Sequence, residues 1–445
     1  MRTIAAAAAA LATGTTTSRA LIDECLARIE APNGEGARTF VRVYAEPARL
    51  MADAMDAIRR AGRAPSPYAG IPISLKDLFD IAGEPTAAGS RVLANAPPAA
   101  EHAPIVQRLL AAGFIPVGRT NMTEFAFSGL GINPHHDTPR NPWDRATGRI
   151  PGGSSSGAAV SITDGFALGA LGTDTGGSCR LPAALCGIVG YKPTARRVPI
   201  EGVLPLAPSL DSVGPLAASV SCCAILDAVI AGEIPRQAQP ASLSGLRLAV
   251  PRNVVMQGVD AAVGAAFERA LSRLSQAGAK IDHVAFPVLD DIPAANRAGG
   301  FAAAEGYAWH RKLLATSADG YDPRIRKRIE RGAGFSAADY IDLIANRSRL
   351  ITSMNTDTAA YDALVMPTAP IIAPAISDLD DEAAYNRVNM LLLRNTSFGN
   401  FLDRCAISLP CHAAGEAPVG LMLMGETMGD TSLFGIATAI ENLLR

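Results

Sequence analysis

The stretch from Arg149 to Pro182 constrains this chain more than any other, because small residues dominate it. It reads R-I-P-G-G-S-S-S-G-A-A-V-S-I-T-D-G-F-A-L-G-A-L-G-T-D-T-G-G-S-C-R-L-P and holds two glycine–serine clusters, Gly152–Gly157 and Gly176–Ser178. Between them Ala158 to Gly172 carries a single charge, Asp164. A segment this apolar is buried rather than laid over the surface, so both clusters end buried elements. Paired glycines ahead of a serine let main-chain N–H groups turn inward and let a ligand approach the backbone. The pattern suits an oxyanion-binding loop. The plainer alternative is a pair of Gly/Ser turns flanking a buried helix.

The rest of the composition narrows the class. With 49% hydrophobic and 18% charged residues over 445 positions, the chain has enough apolar material for a large core. A net charge of −2 and only 5% aromatics, with no basic run, give no electrostatic case for nucleic acid or an anionic membrane. The cysteines (Cys25, Cys179, Cys186, Cys222, Cys223, Cys405 and Cys411) form no CxxC pair, zinc spacing or disulfide framework. A reducing cytoplasm is the expected setting, with the thiols packed as small hydrophobes. Six scattered histidines, with His135 and His136 adjacent, suit no chelating pattern, so no metal and no cofactor are expected. The alanine run after Met1-Arg2 makes a poor signal-peptide core and a good helix. No apolar run reaches the length of a membrane span.

Periodicity predicts an α/β order. Thr17–Glu30 is an amphipathic helix with Ile22, Cys25, Leu26 and Ile29 on one face, and a charged helix covers 48–62. Ile71, Ile73 and Leu75 alternate in a short strand that ends at Lys76. A helix over 103–112, closed by Gly113, leads to a strand at 114–118, and 193–214 is a proline-bearing loop region. A strand at 246–250 precedes a helix with Val263, Phe267, Leu271 and Leu274 on one face and Gly278 as its cap. Asp322–Asn346 is a charged helical stretch with a solvated face, and 361–366 is a strand stopped by Pro367. No linker or repeat divides the chain. One elaborated α/β domain over 1–445 is expected, with N-terminal helices within 1–62 packing on the core and no second domain.

Three chemistries compete for the serines. Gly153–Gly157 fits the G-x-S-x-G of a nucleophile elbow with Ser155 at its centre, but that elbow needs a core strand before it. Asp144–Pro151 is charged and proline-ended, so it is no such strand. A phosphate-binding loop fares no better, since neither G-K-[ST] nor G-x-G-x-x-G follows a strand. The third pairs a serine with a lysine that burial keeps neutral. Lys76, at the end of an apolar strand, is the lysine placed for that.

Taken together these stretches identify a resemblance. The strings G-I-P-I-S-L-K-D at 70–77, P-G-G-S-S-S-G-A-A at 151–159, L-G-T-D-T-G-G-S-C-R-L-P-A at 171–183, C-G-I-V-G-Y-K-P-T at 186–194 and S-L-D-S-V-G-P-L at 209–216 resemble those of the amidase signature family. So do G-R-T-N-M-T-E-F-A at 118–126 and Y-D-A-L-V-M-P-T-A-P at 361–370, so the resemblance spans nearly the whole chain. It implies a single α/β/α domain with a central mixed, twisted sheet covered by helices. It also implies a Ser–cis-Ser–Lys triad in which Ser178 is the nucleophile, Ser154 the cis-serine relay and Lys76 the base. The main-chain N–H groups of Thr175, Gly176, Gly177 and Ser178 would form the oxyanion hole. Asp174 and Arg180 would brace that loop, Ser155 would be a hydrogen-bonding neighbour, and Cys179 a packed side chain.

The implied activity is hydrolysis of a carboxylic amide, aryl amide, ester or carbamate through an acyl-enzyme, with a small-molecule substrate and water as the only partners. Nothing in the sequence decides between a monomer and a homo-oligomer. Phe125, Phe127, Gly129, Leu130, Ile132, Leu204, Leu393 and Asn400 are the expected pocket residues, their apolar members (with Leu206) favouring a hydrophobic or aryl substrate. The alternative within the family is the glutaminase subunit of a tRNA-dependent aspartyl/glutamyl amidotransferase. That glutaminase holds the glutamine amino group with an acidic residue seven positions before the asparagine of N-L-A-G. Here the comparable asparagine is Asn400 in N-F-L-D, so Leu393 stands at the acidic position and Asp403 replaces glycine. Arg328 resembles the arginine that binds the glutamine carboxylate, although its charged helix points to a solvated side chain.

Overall fold

The computed structural model describes residues 1–445 and shows one α/β domain around a mixed sheet of 11 strands. The strands are β1 (Phe40–Val43), β2 (Pro72–Lys76), β3 (Ile115–Thr120), β4 (Gly169–Asp174), β5 (Val189–Lys192), β6 (Ser212–Ala217), β7 (Arg247–Pro251), β8 (Lys280–Val284), β9 (Ala363–Pro367), β10 (Ala406–Pro410) and β11 (Gly420–Met424). They lie in the order β1-β3-β2-β4-β6-β5-β10-β11-β9-β7-β8. β2 is parallel to both β3 and β4, and β7 is parallel to β8 and β9. The remaining neighbours run antiparallel. The sheet is therefore mixed, with a parallel group toward each end.

The strand that ends in Lys76 is buried at all five of its residues, because it sits between β3 and β4. β4 is also buried throughout, and its small residues explain why the sequence between the serine clusters is so unusual. A Cβ on Gly172 would lie 2.6 Å from Ser155 Oγ, and one on Gly169 would lie 2.7 Å from Leu226 Cδ1. The helix Ser156–Thr163 lies against this strand, and at Gly157 a Cβ would meet the Thr39 carbonyl and lie 2.8 Å from Asn121 N. Backbone-to-backbone approach of this kind needs residues without side chains.

The N-terminal alanines form the helix Ile4–Ala12, capped by Thr3, with Ile4, Ala7, Ala8 and Leu11 buried. Ile4 N donates to Cys222 Sγ at 3.2 Å, which ties the first helix to the helix Val220–Ala231. The helices Ser18–Ile29 and Ala45–Arg60 follow, close to the expected bounds. No helix is long and apolar enough to cross a membrane.

Two stretches differ from expectation. Residues 193–214 are not all loop, since β6 begins at Ser212, and Asp322–Asn346 is not one helix. It breaks into Pro323–Glu330 and Ala337–Thr358, the second opened by a Ser336–Asp339 capping box. Ile325, Ile329 and Leu343 point into the core, so the charged stretch is amphipathic rather than solvated.

Gly157→Ala should lower stability by about 1–3 kcal/mol, because the added methyl meets backbone that cannot move aside. Urea unfolding would show it as a lower midpoint at unchanged slope.

Candidate active site

The sheet delivers Lys76 to a dry position. It is 0% exposed at the C-terminal end of β2, and its Nζ donates to Ser154 Oγ at 2.7 Å and Thr173 Oγ1 at 2.9 Å. Burial lowers its pKa to about 7, against the upward pull of Cys179, Asp174 and Asp211. Near neutral pH a large share of the amine is thus uncharged, and its lone pair can accept a proton along the Ser154 hydrogen bond. Thr173, which fixes the other side of that amine, stands in the string at 171–183 but was not singled out by the sequence.

Ser154 follows a cis peptide bond to Gly153. Its carbonyl accepts from Thr123 N at 3.1 Å, and Gly153 N donates to Gly129 O at 2.7 Å. Ser155 Oγ reaches the Thr173 carbonyl only at 3.5 Å, a marginal contact. Ser178 is 5% exposed, and its hydroxyl bonds to no protein group. Catalytic hydrogen bonds in unliganded sites are often long and tighten only with substrate.

The loop between β4 and the helix Arg180–Cys186 is braced from below. Asp174 and Arg180, both 0% exposed, pair through bonds of 2.8 and 3.0 Å. Burial alone would raise the Asp174 pKa, but Arg180, Lys192 and Asn400 bring it down to about 2. The same carboxylate accepts from Cys179 N at 3.1 Å. Asn400 belongs to this brace and not to the pocket: its Nδ2 donates to Asp174 O and Oδ1, both at 2.9 Å, and its Oδ1 accepts from Arg180 at 2.8 Å. The Thr175 hydroxyl donates to Asp211, which also accepts from Leu206 N and Ala207 N.

The glycines of the loop are set by the helix Glu382–Phe401. Gly177 has φ +137°, and Thr396 Oγ1 occupies the space where a Cβ would project. Thr396 Oγ1 donates to the Gly176 carbonyl at 2.6 Å. In a trans peptide the following N–H points the opposite way, so Gly177 N–H is turned from the helix toward the open side of the loop. The N–H groups of Gly176, Gly177 and Ser178 donate to no acceptor in the chain. Such free donors suit a developing oxyanion. Cys179 is 0% exposed and burial raises its thiol pKa, so it stays a protonated packing residue.

The expected pocket residues separate into two groups. Gly129 and Leu393 border the reactive loop: a Cβ on Gly129 would lie 2.8 Å from Leu393, and one on Gly176 would lie 3.9 Å from it. Phe125 is instead packed against His310, Tyr321 and Trp309, with ring centroids 4.4, 5.2 and 6.2 Å away. Phe127 is buried beside Gly306, Leu130 and Ile132 belong to a core cluster with Leu181 and Leu392, and Leu204 is half-buried against the main core. Arg328 also departs from expectation. It is half-buried rather than solvated, its Nη1 is buried without a partner, and burial lowers its pKa. Asp403 takes φ +54°, the left-handed conformation that glycine favours and aspartate tolerates, and its carboxylate pairs with Arg196 at 2.6 Å.

Asp174→Ala should destabilise the protein by about 3–5 kcal/mol, since Arg180 would be left buried without a counter-charge. Guanidinium unfolding measures it. Asp174→Asn should lose less, because the side-chain oxygen still accepts from Arg180.

Comparison with known proteins gives the family and the fold. The family described as Amidase matches residues 20–434. A 2-amino-5-chloromuconic acid deaminase of Comamonas testosteroni is 38% identical, over 96% of this chain and 93% of that protein. A glutamyl-tRNA(Gln) amidotransferase subunit from Chloroflexus aggregans is 35% identical, over 99% of this chain and 96% of the other. A crystal structure of an amidase superimposes with a TM-score of 0.90 at 31% identity, covering 100% of both chains.

Proposed function

We propose that this chain, which belongs to the amidase family and is a hydrolase of carbon–nitrogen bonds, works as a free-standing serine amidohydrolase with Ser178 as nucleophile. The observation that carries the reading is the buried, partly neutral Lys76 bonded to Ser154 at 2.7 Å. Lys76 takes the Ser154 proton while Ser154 takes that of Ser178, and Ser178 Oγ forms a bond to the amide carbon. The carbonyl oxygen gathers negative charge among the free N–H groups of the Gly176–Ser178 loop. The C–N bond then breaks, the amine leaves with the relayed proton, and an ester to Ser178 remains. Water, deprotonated through the same relay, attacks that ester and releases the acid and the free serine. The same route serves amides, esters and carbamates.

The competing reading is the glutaminase of an amidotransferase complex, given the likeness to the Chloroflexus aggregans protein. Leu393 weighs against it. A glutamine ammonium beside this side chain would lose water without gaining a counter-charge. The buried positions of Phe125 and Leu130 also remove much of the support for a large aryl pocket.

Two tests follow from the mechanism. Release of amine from a panel of an aryl amide, an aryl carbamate, an aliphatic amide and glutamine, using the purified chain alone, should fall on the order of 10⁴-fold or more in Ser178→Ala. Undiminished turnover would remove Ser178 from the mechanism. Because the neutral form of Lys76 is the active one, log kcat/KM should rise with unit slope below pH about 7 and level off above it. A profile flat from pH 5 to 9 would contradict the lysine base.

A further inference from the structure

Glu124 is 0% exposed and pairs with no lysine or arginine, yet no step of the mechanism uses it. Three donors from three parts of the chain converge on its carboxylate. Oε1 accepts from Ser90 Oγ at 2.7 Å and His135 Nε2 at 2.9 Å, and Oε2 accepts from Asp322 N at 2.7 Å. Asp322 opens the helix Pro323–Glu330, so one carboxylate joins that helix to the segments around Ser90 and His135. A buried carboxylate is costly unless its lone pairs are bonded, and here each oxygen has a partner.

The turn that follows Glu124 needs such an anchor. Phe125 and Ala126 take φ +50° and +60°, the left-handed region that residues with a Cβ avoid. Two such residues in a row persist only where their surroundings fix them. Phe125 N donates to Ala88 O at 3.0 Å, and the Glu124 carboxylate ties the start of the turn to the other three segments.

This turn brackets the serine that bonds Lys76. Before it, Thr123 N donates to Ser154 O at 3.1 Å; after it, Gly129 O accepts from Gly153 N at 2.7 Å. Gly153 and Ser154 make no other main-chain hydrogen bond. The packing is equally close, since a Cβ on Gly153 would lie 2.5 Å from Gly131 N. The place of Ser154, and with it the 2.7 Å bond from Lys76, therefore follows the segment 123–131.

We propose that Glu124 is a positioning residue for the proton relay: by tying the turn after Thr123 to Ser90, His135 and Asp322, it holds Ser154 within reach of Lys76. The relay itself rests on the Ser178 reading; the tie between Glu124 and Ser154 does not. Glu124 acts by its reach and not by its charge. Glutamine has the same reach: its oxygen can accept from Asp322 N, and its NH₂ can donate to Ser90 Oγ and to His135 with Nε2 unprotonated. Aspartate keeps the charge, but its oxygens stop one methylene short.

Kinetics of Glu124→Gln and Glu124→Asp on one aryl ester separate reach from charge. Glu124→Gln should keep kcat within about 5-fold of the parent, whereas Glu124→Asp should lose at least about 30-fold in kcat with KM within about 3-fold. In a Ser154→Ala background Glu124→Asp should cost no more than about 2-fold further, because the residue it positions is gone. Ser90→Ala removes one tie and leaves the carboxylate in place; its loss of about 3-fold, with the same dependence on Ser154, answers where Glu124→Asp folds poorly. The crystal structure of Glu124→Asp should show Ser154 Oγ out of hydrogen-bonding distance of Lys76 Nζ, a readout independent of the nucleophile. Full activity in Glu124→Asp, a loss in Glu124→Gln as large as in Glu124→Asp, an effect of either tie variant that persists with Ser154→Ala, or an unmoved Ser154 would each overturn the proposal. Undiminished turnover in Ser178→Ala contradicts the nucleophile instead, and leaves the crystal structure to decide the tie.

Discussion

The burial of one lysine organises this protein. Lys76 ends a strand with parallel neighbours on both sides, and none of it reaches solvent. An ammonium in that position loses its hydration, so the fold shifts the group toward its neutral form. The small residues of β4 and of the helix Ser156–Thr163 follow from the same requirement. They let Thr173 and Ser154 approach the amine closely enough to take its hydrogen bonds while keeping water out.

A second constraint fixes the loop that faces this amine. Asp174, Arg180 and Asn400 satisfy one another in a fully buried network. Such a group stabilises only when every member is bonded, and removal of Asp174 or Arg180 leaves the other's charge stranded. Thr396 and Asp211 then hold the Gly176 carbonyl and the Thr175 hydroxyl. The helix Glu382–Phe401 thereby touches the loop at its brace through Asn400 and at its peptide plane through Thr396. The geometry of the loop is thus set by one rigid element.

How much of this was legible in the sequence depends on the kind of signal each residue leaves. Lys76 stood out because it ends an alternating apolar run, and the serines because their glycine neighbours are so dense. The strands β2, β3, β7 and β9 were readable from local pattern. β10 and β11 were not, since A-I-S-L-P and G-L-M-L-M are buried on both faces and show no alternation. Thr396 carries no sequence mark, and Thr173 only its place in the 171–183 string, which says nothing of a lysine partner: a threonine becomes a site residue through what the fold brings to it. Asn400 resembled a pocket residue and proved a brace, because its neighbours come from 220 and 226 positions away. Arg328 misled in the other direction. Its neighbours along the chain are charged, so only the packing of its helix reveals that one end of the guanidinium is buried.

The measurement closest to the central claim is the rate at which a fluorophosphonate labels the protein, with the adduct located by peptide mapping, as a function of pH. The account predicts an adduct on Ser178 alone, with a rate that rises through pH about 7 as Lys76 loses its proton and that collapses in Lys76→Met. An adduct on another residue, or a Ser178 rate indifferent to both pH and Lys76, would contradict it.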